Sequence, residues 1–304
     1  MSRRRQLSRR EFLRVAGLFA STVALEACTP QALTENEAVE AEPMATAPMA
    51  TVTPVPPAPT ATETPGLTIT VVYDNVVRDA RLVDTPWGFA ALIERGDQTV
   101  LFDTGGDSPT LLRNMETLGK DPSTIQKVVL SHIHADHVGG LDGLLQTGVH
   151  PTVYVPPSFP RDFTDPVREI TELVEVTPGQ AIAEGTFTTG EMPTPGNARL
   201  VEQSLFVESR GGLVVITGCA HPGIVGIVRR VKELSDQPVF LAMGGFHLGS
   251  ASDAELADIV ADLRELEVGR VAPSHCTGDD AIAAFAEVYE DKFIRSGGGT
   301  IITI

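Results

Sequence analysis

From residue 67 onward the chain is a series of short apolar runs separated by Gly, Pro, Asn and Asp, arriving in two successive sets. Residues 67–73, 89–94 and 99–102 are aliphatic and aromatic runs of strand length, the last closing on Asp103-Thr-Gly-Gly. Ser108-Pro109 then reads as N-cap and first-turn proline, Leu111, Leu112, Met115 and Leu118 form one helical stripe, and Gly119 closes it. A strand over 127–130 and a helix over 138–146 follow, then strands over 152–155, 185–189, 204–208 and 213–217. The second set gives a helix over 224–234, a strand over 239–242 and a helix over 253–266 capped by Ser252. It ends with a strand over 270–273, a helix over 279–289 and a strand over 300–304. Strands early and helices late in each half predict an α/β fold in which two sheets pack together with helices outside.

The first 66 residues follow no such pattern. Residues 3–14 hold six arginines, and Ser8-Arg-Arg-Glu-Phe-Leu-Arg14 resembles a twin-arginine export signal. The apolar stretch 15–25 is far too short to span a membrane and ends in Leu25-Glu-Ala-Cys28, which resembles a lipobox. Residues 1–27 are therefore expected to be a signal peptide and Cys28 a lipid anchor. Residues 28–66, rich in Ala, Pro and Thr, cannot bury enough apolar surface to fold and are expected to be a tether. The expected partners are the twin-arginine export machinery, a membrane reached through the lipid, and a small-molecule substrate. The expected location is the outer face of the cytoplasmic membrane.

Residues 67–304, about 240 of them, fit one α/β domain. Of the 23 basic and 40 acidic residues in the chain, the first 27 positions hold six arginines and two glutamates. That leaves 17 basic and 38 acidic residues, a net charge of −21. So acidic a surface argues against a nucleic-acid backbone as substrate.

The densest chemistry is Ser131-His-Ile-His-Ala-Asp-His-Val-Gly-Gly140, directly after the 127–130 run. His132, His134, Asp136 and His137 are four donors on one strand-end turn, and imidazole with carboxylate suits zinc, iron or manganese. Four donors from one turn exceed what a single tetrahedral ion can use with other partners, so two divalent ions are expected, most simply zinc. In an extended turn His132 and His134 point the same way and share one ion, leaving Asp136 and His137 for the other. Gly139 and Gly140 let the next helix pack closely. Gly218-Cys-Ala-His221 and Pro273-Ser-His-Cys276 end two further strands, placing His221 with the first ion and His275 with the second. Cys219 is either a thiolate ligand or a small buried residue behind the ligands, the second being preferred. His247, after a strand and Gly244-Gly245, is expected to line the site, and His150 is a plain loop residue.

Leu101-Phe-Asp-Thr-Gly105 together with Ser-His-x-His-x-Asp-His-x-Gly-Gly resembles the metallo-β-lactamase-fold superfamily of metal-dependent hydrolases, over roughly residues 67–304. The resemblance implies an αββα sandwich, two mixed sheets with helices on their outer faces, and a dinuclear centre at the sheet edge. It implies that Asp103 supports the ligand loop rather than binding metal, as ligand imidazoles need an acceptor for their other ring N–H. Gly-Cys-Ala-His-Pro-Gly-Ile224, Gly244-Gly-Phe-His-Leu248 and Pro-Ser-His-Cys-Thr-Gly278 resemble the branch related to dihydropterin-methyl-ribosylaminobenzene-phosphate synthases. The chain departs from the common superfamily pattern at two points. Pro195-Gly-Asn197 stands where many members have Pro-Gly-His, and Thr217-Gly-Cys219 where they have Thr-Gly-Asp with a bridging aspartate.

These features point to an exported hydrolase acting on an ester, lactone, amide or phosphodiester, with Asp136 and His247 as candidate catalytic groups. The alternatives are a synthase on a phosphorylated pterin-like substrate, redox chemistry at iron, and a binding protein with a structural metal. The flavin-linked redox branch places glutamate where Ala135 stands.

Overall fold

The computed structural model describes residues 66–83 and 85–304. The export signal, Cys28 and all of the tether except Gly66 lie outside the described residues.

β1 (Leu67–Asp74), β2 (Phe89–Arg95), β3 (Gln98–Phe102), β4 (Lys127–Val129), β5 (Thr152–Val155) and β6 (Leu173–Glu175) follow one another along the first sheet. β15 (Ile301–Thr303) returns to pair with β1 at its edge. The pairs from β15 to β3 are antiparallel and those from β3 to β6 parallel, so the sheet is mixed. The second sheet holds β7 (Ala181–Ala183), β8 (Thr186–Thr188), β11 (Leu205–Ser209), β12 (Gly212–Thr217), β13 (Val239–Gly245) and β14 (Arg270–Ser274). It too is mixed, with β12, β13 and β14 parallel. β9 (Met192–Thr194) and β10 (Asn197–Glu202) form a separate ribbon.

Side-chain burial shows why these runs are strands. The inward-facing residues Ile69, Phe89, Ile93, Phe102 and Val129 of the first sheet meet Leu205, Val207, Val214, Ile216 and Met243 of the second. The opposite face of the first sheet is covered by α1 (Ser108–Thr117), α3 (Leu141–Gln146) and α4 (Arg161–Ile170), through Leu111, Met115, Leu144 and Val167. The opposite face of the second is covered by α5 (Ile224–Leu234), α6 (Asp253–Glu265) and α7 (Asp279–Tyr289), through Ile227, Val260 and Phe285. Strands covered on both faces are apolar throughout, which is why β12 is buried at every position. The four layers are the expected αββα sandwich.

Several local expectations are corrected. Asp107, not Ser108, caps α1, accepting the Thr110 amide at 2.8 Å. The helix expected over 138–146 is two pieces, α2 (Ala135–Val138) and α3, broken at Gly139-Gly140. Asp136 and His137 therefore sit in a helical turn rather than an extended one. α4 and the strands β6, β7, β9 and β10 have no counterpart in the sequence reading.

Candidate metal centre

The candidate ligands stand at one edge of the sandwich because they follow the carboxyl ends of neighbouring strands. His132 and His134 follow β4, Cys219 and His221 follow β12, His247 follows β13, and His275 follows β14. Asp103 follows β3 and Asn75 follows β1, so both sheets deliver polar groups to the same place. The backbone there is strained. Asp103, Ala220, His247 and His275 have φ of 57°, 59°, 52° and 53°, values non-glycine residues adopt only when their surroundings impose them.

Three groups of donors result among the described residues, and two of them hold the expected ligands. His132, His134 and His221 form one; Asp136, His137, Cys219 and His275 form the other. His132 and His134 thus lie beside His221, and Asp136 and His137 beside His275. Cys219 is buried as expected, but it is also a member of the second group. Its Sγ lies 3.2 Å from His137 Nε2 and 3.5 Å from His275 Nε2, while Asp136 Oδ2 lies 3.3 and 3.4 Å from the same two nitrogens. A tetrahedral ion with ligand bonds of about 2.0–2.3 Å needs donor separations of roughly 3.3–3.8 Å. Three of these spacings fall in that range and the fourth lies about 0.1 Å below it. In the first group His132 Nε2 and His134 Nδ1 are 3.0 Å apart, and His221 Nε2 is buried without a partner.

The outer ring nitrogens are held so that the inner ones face each other. His137 Nδ1 donates to Asp103 Oδ2 at 2.7 Å, and His275 Nδ1 donates to Asn75 Oδ1 at 2.7 Å. Asp103 also accepts the Ser131 amide at 2.7 Å and its hydroxyl at 2.8 Å, fixing the start of the ligand loop. Gly218 has no side chain because a Cβ there would meet Ser131 Oγ at 2.2 Å.

Electrostatics favour a cation. Burial and the surrounding imidazoles hold His132 well below its ordinary pKa, and burial with His247 and His134 takes His221 down to about 4. Both are neutral with lone pairs available. Burial also works against a charged His137, but Asp103 and Asp136 outweigh it and push it up to about 10. The same field that would place a proton on His137 favours a metal cation in its stead. Burial opposes ionisation of Asp136, yet His137 and His275 hold its carboxyl well below the usual range. The donor set and spacing fit divalent ions.

Two residues escaped the sequence reading. Asn75 fixes His275 through its side chain and also donates to the His275 carbonyl at 3.3 Å. Glu202, fully buried, accepts the amides of Cys219, Ala220 and His221 at 2.8–2.9 Å, so one carboxylate shapes the turn carrying two candidate ligands. Burial pushes Glu202 up to about 7 against the pull of those amides. The available signal was polar Glu202-Gln-Ser204 placed directly before an apolar strand. His247 is exposed at the rim, its ring 4.3 Å from that of His221. His150 stays apart from both groups.

A four-layer αββα sandwich with clustered His, Asp and Cys donors at its edge defines a metal-dependent, hydrolase-like class of fold. The chain belongs to the metallo-beta-lactamase superfamily, whose family pattern matches residues 88–275. It is 30% identical over 246 residues to 7,8-dihydropterin-6-methyl-4-(beta-D-ribofuranosyl)-aminobenzene-5'-phosphate synthase of Methanocaldococcus jannaschii, covering 67% of this chain and 83% of the relative. The uncharacterized protein MJ0448 of the same organism is 27% identical, covering 71% and 93%. The solved structure of Tm1679, described as a metal-dependent hydrolase of the β-lactamase superfamily, superposes with a TM-score of 0.68 at 27% identity, covering 78% and 99%.

Proposed function

We propose that this protein is an exported, membrane-tethered metal-dependent hydrolase with a two-ion centre, acting on an ester, lactone, amide or phosphodiester. The observation that carries the reading is the asymmetry of the two donor groups. Asp136, His137, Cys219 and His275 would surround one ion completely, whereas His132, His134 and His221 leave a fourth position open. A three-histidine site with an open position is the arrangement of catalytic zinc. When bound, two such ions activate water at neutral pH and polarise the bond under attack.

The chain's own residues supply the rest. Asp103 and Asn75 orient two ligand rings, and Glu202 orients the turn carrying His221. Asp136 has Oδ2 committed to His137 and His275, which leaves His247 as the better placed group to hand a proton to the leaving group. With so acidic a chain, a negatively charged substrate group would be met by the ions rather than by a basic surface.

The test is metal content with turnover of bis-p-nitrophenyl phosphate, a lactone and a β-lactam. Two equivalents of zinc with turnover of one class are expected. His134→Ala is expected to lose an ion and at least about 100-fold in kcat, the scale of an oriented catalytic contribution; an active, fully loaded His134→Ala protein would refute the assignment. Export and anchoring rest on residues 8–14 and Cys28, and Cys28→Ala is expected to release the protein from membranes.

A second reading is a synthase on a phosphorylated pterin-like substrate, favoured by the 30% identity to the archaeal synthase. It takes precedence if the zinc-loaded protein hydrolyses none of the three substrates but consumes such a compound.

A further inference from the structure

Cys276 has no role in either donor group, yet its thiol is placed with care. We propose that Cys219, His247 and Cys276 form a third cation site, selective for a thiophilic d10 ion such as copper(I), with Cys219 as a thiolate shared with the neighbouring group. The donor atoms of these three residues lie within 4.8 Å of one another, the same compactness as the other two groups.

The local structure is built around this approach. Cys219 and Cys276 follow β12 and β14, with β13 between them. The intervening residue is Gly245, where a Cβ would stand 2.7 Å from Cys276 Sγ and 2.4 Å from the Gly218 carbonyl. Absence of that side chain lets Cys276 reach across β13, to 3.6 Å from the Cys219 carbonyl. Each of the three residues is in, or next to, a left-handed non-glycine conformation: Ala220, His247 itself and His275. Such strain persists only where the surroundings hold it. The access also fits, because Cys219 is buried, Cys276 is partly buried and His247 is exposed, so an ion would enter from the His247 side.

Two thiolates and one imidazole are a soft set that copper(I) prefers over the His-and-carboxylate groups next door. Binding releases one proton, from the Cys276 thiol, to solvent as its sulfur–metal bond forms, Cys219 being already a thiolate on the neighbouring ion, with no change in oxidation state. A thiolate has lone pairs for two cations, so occupation of this site leaves the second donor group intact.

The site shares His247 and Cys219 with the hydrolase reading, but its readout is sulfur ligation and not turnover, so the two fail separately. Copper(I), as its acetonitrile complex, would be added anaerobically to the full-length protein holding two zinc equivalents. The expected result is one tightly bound copper with two sulfurs and one nitrogen in its X-ray absorption spectrum and zinc content unchanged. Cys276→Ser is expected to weaken that binding at least 100-fold. Copper bound without sulfur, or equally well by Cys276→Ser, would overturn the site. Should the variant not fold, the wild type decides. Copper must protect Cys276 from iodoacetamide relative to the same zinc-loaded protein without copper, assigned by peptide mass; alkylation of Cys276 at the copper-free rate would end the proposal.

Discussion

Asp103 uses both carboxylate oxygens, one on the Ser131 amide and the other on the Ser131 hydroxyl and the His137 ring. Asn at this position keeps the volume but turns an amide N–H toward one set of donors. Asp103→Asn is expected to reduce zinc affinity about 10–100-fold, the usual cost of losing such a supporting group, with the loss read by competition against a chromophoric chelator. Asp74 makes a different case. Its Oδ1 accepts the Val76 amide at 2.8 Å, but Oδ2 is buried without a partner, and burial raises its pKa from 3.8 to about 6. Below pH 3.8 the carboxyl is neutral both folded and unfolded. As pH rises through about 6, the folded state must ionise a buried group and stability falls, by roughly 3 kcal/mol over the two-unit shift. Asp74→Asn keeps the bond to Val76 and removes that ionisation. Urea midpoints of the metal-free proteins should diverge between pH 4 and 6.5, the variant being more stable at pH 7. Parallel curves would show that Asp74 does not titrate in this window.

At the scale of elements, the ligand loops were legible because apolar runs announce strands and the polar clusters fall at their ends. Cys219 shows where that legibility stops. Spacing locates it at a strand end, but only the fold reveals that its sulfur faces His137 and His275. Asn75 and Glu202 look like ordinary polar residues flanking strands, and their roles arise from contacts with residues 200 and 17–19 positions away. Apart from the 185–189 run, residues 156–195 were silent for another reason. β6, β7 and β9 have three residues each, too short for a period, and α4 contains Pro166. The junction of α2 and α3 carries the most direct element-scale test. Gly140 has an ordinary φ of −85°, so its need for glycine is not conformational. A Cβ there would meet the Thr104 carbonyl at 2.1 Å and Leu111 at 3.0 Å. Gly140→Ala is expected to cost about 2–3 kcal/mol in urea unfolding, near the upper end for overpacking. It should also weaken zinc binding, because Thr104 adjoins Asp103 and accepts no displacement without moving it.

At the scale of the whole molecule, the donor groups join the two sheets. His132, His134, Asp136 and His137 come from the first sheet, and Cys219, His221 and His275 from the second, so an ion in either group ties the sheets together at their shared edge. Ions that bind only the folded state stabilise it by mass action. At free metal about 100 times Kd, each site contributes about 2.7 kcal/mol, or roughly 5 kcal/mol for two. A domain of 150–250 residues shifts by about 2–4 °C per kcal/mol, so chelation is expected to lower Tm by about 10–20 °C. A chain with net charge −17 also attracts divalent cations without specificity, and that contribution must be separated. In 1 M NaCl the screening length is about 3 Å, which suppresses attraction to the acidic surface but not direct coordination by the donor atoms. The chelator-induced drop should therefore survive in 1 M salt. A drop that vanishes there would assign the stabilisation to the surface, and its absence at any salt would mean that neither donor group holds an ion in the folded protein.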